Sequence, residues 1–344
     1  MSVDAGAQAS SNRQAIKRLV GGLERGLLWC LRFAMVPVCE LVALILSIIP
    51  VNDAHGVFYR HGFHLLKKHY YLPIPDEEDL SSEFLKSESE MVGVEMNDQH
   101  ALHLMDDVFP PYLREFGQSF PVHESPGRAG FFLINGSFMA IDAHVYYSLV
   151  RHFKPKRIIE IGSGASTVLA AAACRRNLAE SGAPTEFIAI EPFPSPLLKQ
   201  GIPGLTRLIQ DKVQKVDIDL FASLGSGDIL FIDSSHVLRS GGDVQLEYCE
   251  ILPRLAPGVF VHIHDISLPK PYPRVYFENQ LYWNEQYLLQ VLLSFTSRYE
   301  LVWPGNHMML KYPERMTVVF PEYHEMRKFF PQAEPSSFWI RERS

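Results

Sequence analysis

The segment Arg157-Ile-Ile-Glu-Ile-Gly-Ser-Gly-Ala-Ser-Thr167 constrains the fold of this chain more than any other. Ile158 to Ile161 reads as a buried strand running into a turn of small residues. A helix is expected to start at Ser166 or Thr167 and to continue through Val168 to Cys174. A strand, a glycine turn and a helix in that order let a ligand approach the backbone at the positive end of a helix dipole. A second strand, Phe187-Ile-Ala-Ile, ends in Glu191, 31 residues after Glu160. An acid there can hold both ribose hydroxyls of a nucleoside.

From residue 157 onward strands and helices alternate. The strands are expected at Arg157–Ile161, Phe187–Ile190, Thr206–Ile209, Asp228–Ile232 and Val259–Ile263, with helical segments between most of them, notably Gly242–Leu255. Short apolar strands separated by helices imply a parallel α/β sheet covered on both faces. Ligands then lie beyond the carboxyl ends of the strands. Those ends read Gly162-Ser163-Gly164, Glu191-Pro192, Gln210-Asp211-Lys212, Asp233-Ser-Ser-His236 and His262-Ile-His264-Asp265. Five successive strands thus deliver polar groups to one rim. His262, deeper in its strand, reads as a core histidine.

The chain is 344 residues long, with 32 Lys and Arg against 39 Asp and Glu, a net charge of -7. That balance excludes broad nucleic-acid binding, which needs a basic face. Cys30, Cys39, Cys174 and Cys249 form no CxxC pair and fit free thiols in a reducing compartment. Residues 1–14 are expected to be disordered and 15–64 to form an apolar helical segment. Residues 65–150 are expected to form a helical cap region with helices at Tyr112–Phe120 and Met139–Phe153, and 151–344 the ligand-binding domain. Phe33 to Val51 is almost continuously apolar, interrupted by Pro37 and Glu40, and follows Lys17, Arg18, Arg25 and Arg32. A true span would place the rest of the chain outside the cell, away from a cytosolic cofactor. An interfacial helix through residues 27–51, or a helix packed on protein, avoids that conflict. The expected location is the cytoplasm, with contact to the inner membrane face.

The strand-end residues resemble the class I S-adenosylmethionine-dependent methyltransferases. The resemblance is carried by Glu160-Ile-Gly-Ser-Gly-Ala-Ser166 and Glu191. Within that superfamily the chain is similar to a mostly uncharacterised bacterial group. Asp228-Ile-Leu-Phe-Ile-Asp-Ser-Ser-His236, Val261-His-Ile-His-Asp265, Trp283-Asn-Glu-Gln-Tyr287 and Ser337-Phe-Trp-Ile-Arg341 carry that likeness. It implies a Rossmann-like, mostly parallel sheet of seven strands flanked by helices, with a helical N-terminal extension. It also implies a cofactor set of Glu160, Gly162, Ser163, Gly164, Ser166, Glu191, Asp211 and Asp233. In that set Gly162 and Gly164 would line the methionine part and Glu160 would orient the amine or the turn. Glu191 would meet the ribose, and Asp211 or its neighbours the adenine. Ser166 stands where the common turn has a third glycine, so a dinucleotide pyrophosphate has less room and a nicotinamide-dependent oxidoreductase is the weaker reading.

Methyl transfer to an alcohol needs a base or a divalent ion to remove the proton. Asp233, His236, His264 and Asp265 offer both. Asp233-Ser-Ser-His236 is similar to the Asp-x-x-His pattern of sugar O-methyltransferases, in which the histidine is the base. The expectation is therefore O-methylation of a small-molecule or glycan hydroxyl. His236, Asp233 and His264 would be catalytic, and Asp233, His264 and Asp265 a possible site for magnesium, manganese, iron or zinc. Tyr272, Trp283 and Asn284 would meet the acceptor, while Tyr282–Leu293 reads as an amphipathic helix. An N-methyltransferase of the same fold and a membrane-peripheral binding protein stay open as alternatives.

Overall fold

The computed structural model describes residues 33, 35–49, 51–125 and 130–343. The expected disorder at 1–14, and the segment 15–32 that follows, lie outside them. The chain divides into two compact units, residues 1–73 and 74–344. In the first, residues 35–48 are helical and a helix spans Val51–Arg60. Val36, Leu41, Leu44 and Ile48 are exposed there. Among the described residues no helix is long and apolar enough to cross a membrane.

In the second unit the strands are β1 (Arg157–Ile161), β2 (Glu186–Ile190), β3 (Arg207–Ile209), β4 (Ile229–Ile232), β5 (Phe260–Ile263), β6 (Tyr299–Pro304) and β7 (Phe338–Glu342). They form one seven-stranded sheet in the order β3-β2-β1-β4-β5-β7-β6. β1 to β5 run parallel, while β7 is antiparallel to both β5 and β6. The chain reverses its winding between β1 and β4, which opens a crevice beyond their carboxyl ends.

Alternation along the central strands sorts their side chains onto two faces. Ile158, Ile229, Phe231 and Phe260 join one apolar cluster, and Ile159, Leu230, Ile232, Val261 and Ile263 the other. The helices that matter for the site are α1 (Phe109–Ser119), α2 (Asp142–Phe153), α3 (Ala165–Ser181), α4 (Glu285–Phe295) and α5 (Glu322–Phe329). Phe109 and Phe116 of α1, with Ala101 and Met105 before them, share the cluster of Ile158 and Leu169. Residues 74–150 therefore pack into the same compact unit as the sheet, and the division falls after Pro73 instead of after residues 64 and 150. The expected helix at 242–255 is a helical turn at Asp243–Leu246, a wider turn at Glu247–Ile251 and a tight one at Leu252–Arg254. Pro253 lacks the N–H that a regular continuation would use.

Candidate active site

Gly162 ends β1 with φ +83°, a conformation that favours glycine. A Cβ there would lie 1.9 Å from the Asp233 carbonyl oxygen. The Asp233 N–H in turn donates to Ile161 O at 2.9 Å, so β1 and β4 hold each other at the crevice. Helix α3 starts at Ala165, one residue before the expected start. Its cap is the Thr167 hydroxyl, which accepts from the Gly164 N–H at 2.9 Å. Ser166 lies inside the first turn and donates to Glu160 Oε1 at 2.8 Å, as Thr167 does at 2.7 Å. Glu160 is fully buried, so it braces the turn from beneath. Its burial pushes the carboxyl up to about 8, against the two hydroxyls that favour its charged form.

A cavity of about 370 Å³ lies above this turn, lined by Gly162, Glu191, Lys212, Val213, Gln214 and Asp233 among others. Glu191 accepts the N–H of Phe193 at 2.7 Å and of Ser163 at 3.2 Å, which aims its carboxylate along the cavity wall. The Ser163 hydroxyl is buried with no protein partner. Asp211 does not line the cavity; it pairs with Lys215 at 3.0 Å while the residues that follow it form the wall.

A second cavity, of about 560 Å³, is lined by Asp142, Asp233, His264, Asp265, Tyr276 and Ser336 with an apolar far wall. Asp233 lines both cavities. Around it the ends of β4 and β5 converge. His236 Nε2 lies 3.4 Å from Asp233 Oδ1 and 3.5 Å from Asp265 Oδ2. His264 Nδ1 lies 3.5 Å from Asp233 Oδ1, and its Nε2 lies 3.5 Å from Asp142 Oδ2. His236 and Asp265 both sit at positive φ, +58° and +54°. Such strain persists where surrounding contacts hold the residue, and it clusters at functional sites.

Helix α4 supplies those contacts. The N–H groups of Asn284 and Glu285 donate to His236 O at 3.0 and 3.2 Å, and Asn284 Oδ1 accepts from the Leu238 N–H at 2.6 Å. His236 Nδ1 lies 2.9 Å from Glu285 Oε2. The Trp283 ring covers His236 at 4.4 Å between centroids. Tyr272 is buried, its hydroxyl accepting from the Gln286 N–H. Tyr272, Trp283 and Asn284 thus stand behind His236 and do not line the larger cavity. Two residues to which sequence reasoning assigned no role in the site stand closer to the chemistry. They are Glu285, within the quoted Trp283–Tyr287 motif, and Asp142, at the start of α2, which accepts from the N–H groups of Ser336 and Ser337 at 3.0 Å each.

A family model described as a methyltransferase domain matches residues 159–266, from β1 through the end of β5. An uncharacterized protein of Archaeoglobus fulgidus is 30% identical over 165 residues, 45% of this chain and 72% of that protein. The matched segment carries both walls of the crevice, and the sheet has the antiparallel seventh strand inserted beside β5. The chain belongs to the class I methyltransferases. Among solved structures, the plantazolicin methyltransferase BamL, in complex with a triazolic desmethylPZN analog and SAH, is 12% identical. It aligns over 60% of this chain and 84% of its own, with a TM-score of 0.34. The citrinin polyketide synthase CMeT domain is 15% identical over 61% of this chain and 53% of its own, with a TM-score of 0.37. Neither adds to what the strand order and the matched segment establish.

The methyltransferase uses S-adenosylmethionine, and the smaller cavity fits it. Its turn admits a ligand to the backbone at Gly162, and it presents an acid, Glu191, at the end of β2. At the β4–β5 rim, burial works against charge on His236. Hydrogen bonds to Asp233 and Glu285 and the nearby Asp265 outweigh it and hold the imidazole well above its usual range. Burial likewise opposes charge on His264, and Asp265, Asp233 and Asp142 prevail. Burial would raise Asp233, but His264 and His236 hold it well below the usual carboxylate range. Asp233, His236 and Asp265 each offer a ligand atom within 4.8 Å of the others. The structure therefore groups His236, not His264, with the two aspartates as the compact donor set.

Proposed function

We propose that this methyltransferase methylates a hydroxyl oxygen of a small-molecule or sugar acceptor, with a divalent cation held by Asp233, His236 and Asp265. The observation that carries this reading is that Asp233 lines both cavities while belonging to the donor triad. Two carboxylates and one imidazole suit manganese, iron or zinc better than magnesium, which prefers oxygen. The second nitrogen of His236 is held by a buried carboxylate, the usual support of a metal-bound histidine. The negative potential that keeps a proton on His236 is the potential a cation would replace.

Bound S-adenosylmethionine supplies an electrophilic methyl group. The chain's residues then have separable tasks. Gly162 and Glu191 bind and orient on the donor side. Asp233 faces both chambers and holds negative charge where a hydroxyl proton must leave. Glu285 fixes the ring of His236. A histidine ligates through a neutral nitrogen, so the cation would take the place of the Nε2 proton of His236, while Nδ1 stays on Glu285. A second reading dispenses with the cation and sets His264, the imidazole that lines the larger cavity, against the acceptor hydroxyl as base; it requires that ring to give up the proton that Asp265, Asp233 and Asp142 favour.

Calorimetric titration with S-adenosylhomocysteine, before and after chelation, with elemental analysis of the same sample, separates these readings. Micromolar binding with a stoichiometric metal lost on chelation is expected. Binding with no metal at any stage would favour His264. The exposed apolar side chains of residues 35–48 also support the expected contact with an anionic membrane face. Flotation with phosphatidylserine vesicles is expected and would be abolished by deleting residues 1–51.

A further inference from the structure

The larger cavity has two unlike surfaces. Asp142, Asp233, His264 and Asp265 line it together with polar Ser137, Gln332 and the Tyr276 hydroxyl, and Met139, Val275, Met326, Phe329 and Phe330 give it an apolar surface. Helix α5 contributes Met326 and Phe329, and the short helix Arg274–Glu278 contributes Val275 and Tyr276. The volume, about 560 Å³, lies within the range of small-molecule sites, roughly 300–1,000 Å³.

Each carboxylate on this cavity already has a partner in the fold. Asp142 accepts from the Ser336 and Ser337 N–H groups and faces His264. Glu334, at the far rim, accepts from the Tyr323 hydroxyl at 2.7 Å and pairs with Arg327. Asp233 and Asp265 face His236 and His264. Among the described residues no lysine or arginine lines the cavity. A cationic acceptor would therefore find no free carboxylate. An anionic group on the body of the acceptor, held among Val275, Met326 and Phe330, would lose its hydration without gaining a partner, which is costly. A bare sugar would turn part of its hydroxyl surface against Met139, Val275, Met326, Phe329 and Phe330, whose side chains offer it no hydrogen bond.

We infer that the acceptor is an uncharged molecule with a hydroxyl at the Asp233 and Asp265 end and an aromatic or alkyl body against Tyr276, Met326 and Phe330. This rests on the methyl-transfer reading above and adds to it the charge and polarity of the acceptor. Aromatic side chains favour such a body by area burial and by edge or offset ring contacts. Phe329 and Phe330 are partly exposed and stand at the mouth, where they can meet the body as it enters.

Three probes share a para-hydroxyphenyl ring and differ in side-chain charge: para-ethylphenol is neutral, tyramine cationic and para-hydroxyphenylacetate anionic. Their dissociation constants would be measured by ligand-observed NMR on the full chain saturated with S-adenosylhomocysteine, whose own binding is followed by calorimetry. The neutral probe is expected to bind at least about tenfold more tightly than either charged one, the scale of one unpaired buried group. Val275→Lys is expected to improve binding of para-hydroxyphenylacetate by about tenfold or more, as its first partner in an apolar wall, with S-adenosylhomocysteine affinity unchanged. A charged probe that matches para-ethylphenol overturns the inference. So does failure of all three to bind while S-adenosylhomocysteine binds. Failure of S-adenosylhomocysteine itself would instead remove the methyl-transfer reading on which the inference stands.

Discussion

His236 Nδ1 lies 2.9 Å from Glu285 Oε2, and Glu285 is fully buried. That contact turns Nε2 toward Asp233 and Asp265, at 3.4 and 3.5 Å. A buried carboxylate behind a ligating histidine fixes its tautomer and raises its basicity. Glu285→Gln keeps the shape and removes the charge. It is expected to weaken metal affinity by about 10–100-fold, read by competition with a chromogenic chelator. Unchanged affinity would show that Glu285 serves only packing.

The two histidines are separable. His236→Gln is expected to abolish metal retention, whereas His264→Gln is expected to leave a stoichiometric metal, because only His236 joins the compact triad. Elemental analysis after gel filtration reads both. Loss of metal in the His264 variant alone would restore the ligand set expected from the sequence.

Gly162 is the point where β1 passes β4. Gly162→Ala must relieve a 1.9 Å approach to Asp233 O at φ +83°. Destabilisation by more than about 1 kcal/mol and loss of S-adenosylhomocysteine binding are expected. Thermal unfolding and calorimetry check them, and a variant that binds normally would show that the turn is free to move.

Glu160 gives stability a pH dependence of known sign. Its pKa rises from 4.5 to about 8 on folding, mainly through burial. Between those values the folded state holds a proton that the unfolded state has released. Stability is therefore fully present below about 4.5 and falls as pH rises toward about 8, by at most about 1.4 kcal/mol per pH unit. Glu160→Gln keeps an acceptor for Ser166 and Thr167 but cannot ionise. Its melting temperature is expected to vary less with pH across this window, and a parallel profile would exclude Glu160 as the source.

Much of the donor side was legible before the structure. Strand residues 158–161 and 229–232 alternate between two buried faces, so their length and apolarity are written in the local sequence, and the polar residues that end them fall on one rim by topology. The acceptor side was less so. Trp283 and Asn284 were expected in the pocket because they follow β5 in an aromatic segment. They instead clamp the His236 loop, since α4 turns its first residues toward that backbone. Asp142 precedes β1 and gives no motif; only the return of the chain at Ser336 and Ser337 brings it to His264.

The sequence by itself determined the parallel sheet, the glycine turn and the inventory of acids and imidazoles at the strand ends, because these depend on periodicity and on residues adjacent in the chain. Only the tertiary structure decided which imidazole joins the two aspartates and which wall meets the acceptor. Those depend on side chains separated by scores of residues, on the positive φ at His236 and Asp265, and on a buried Glu285 whose effect exists only once α4 is packed against the end of β4.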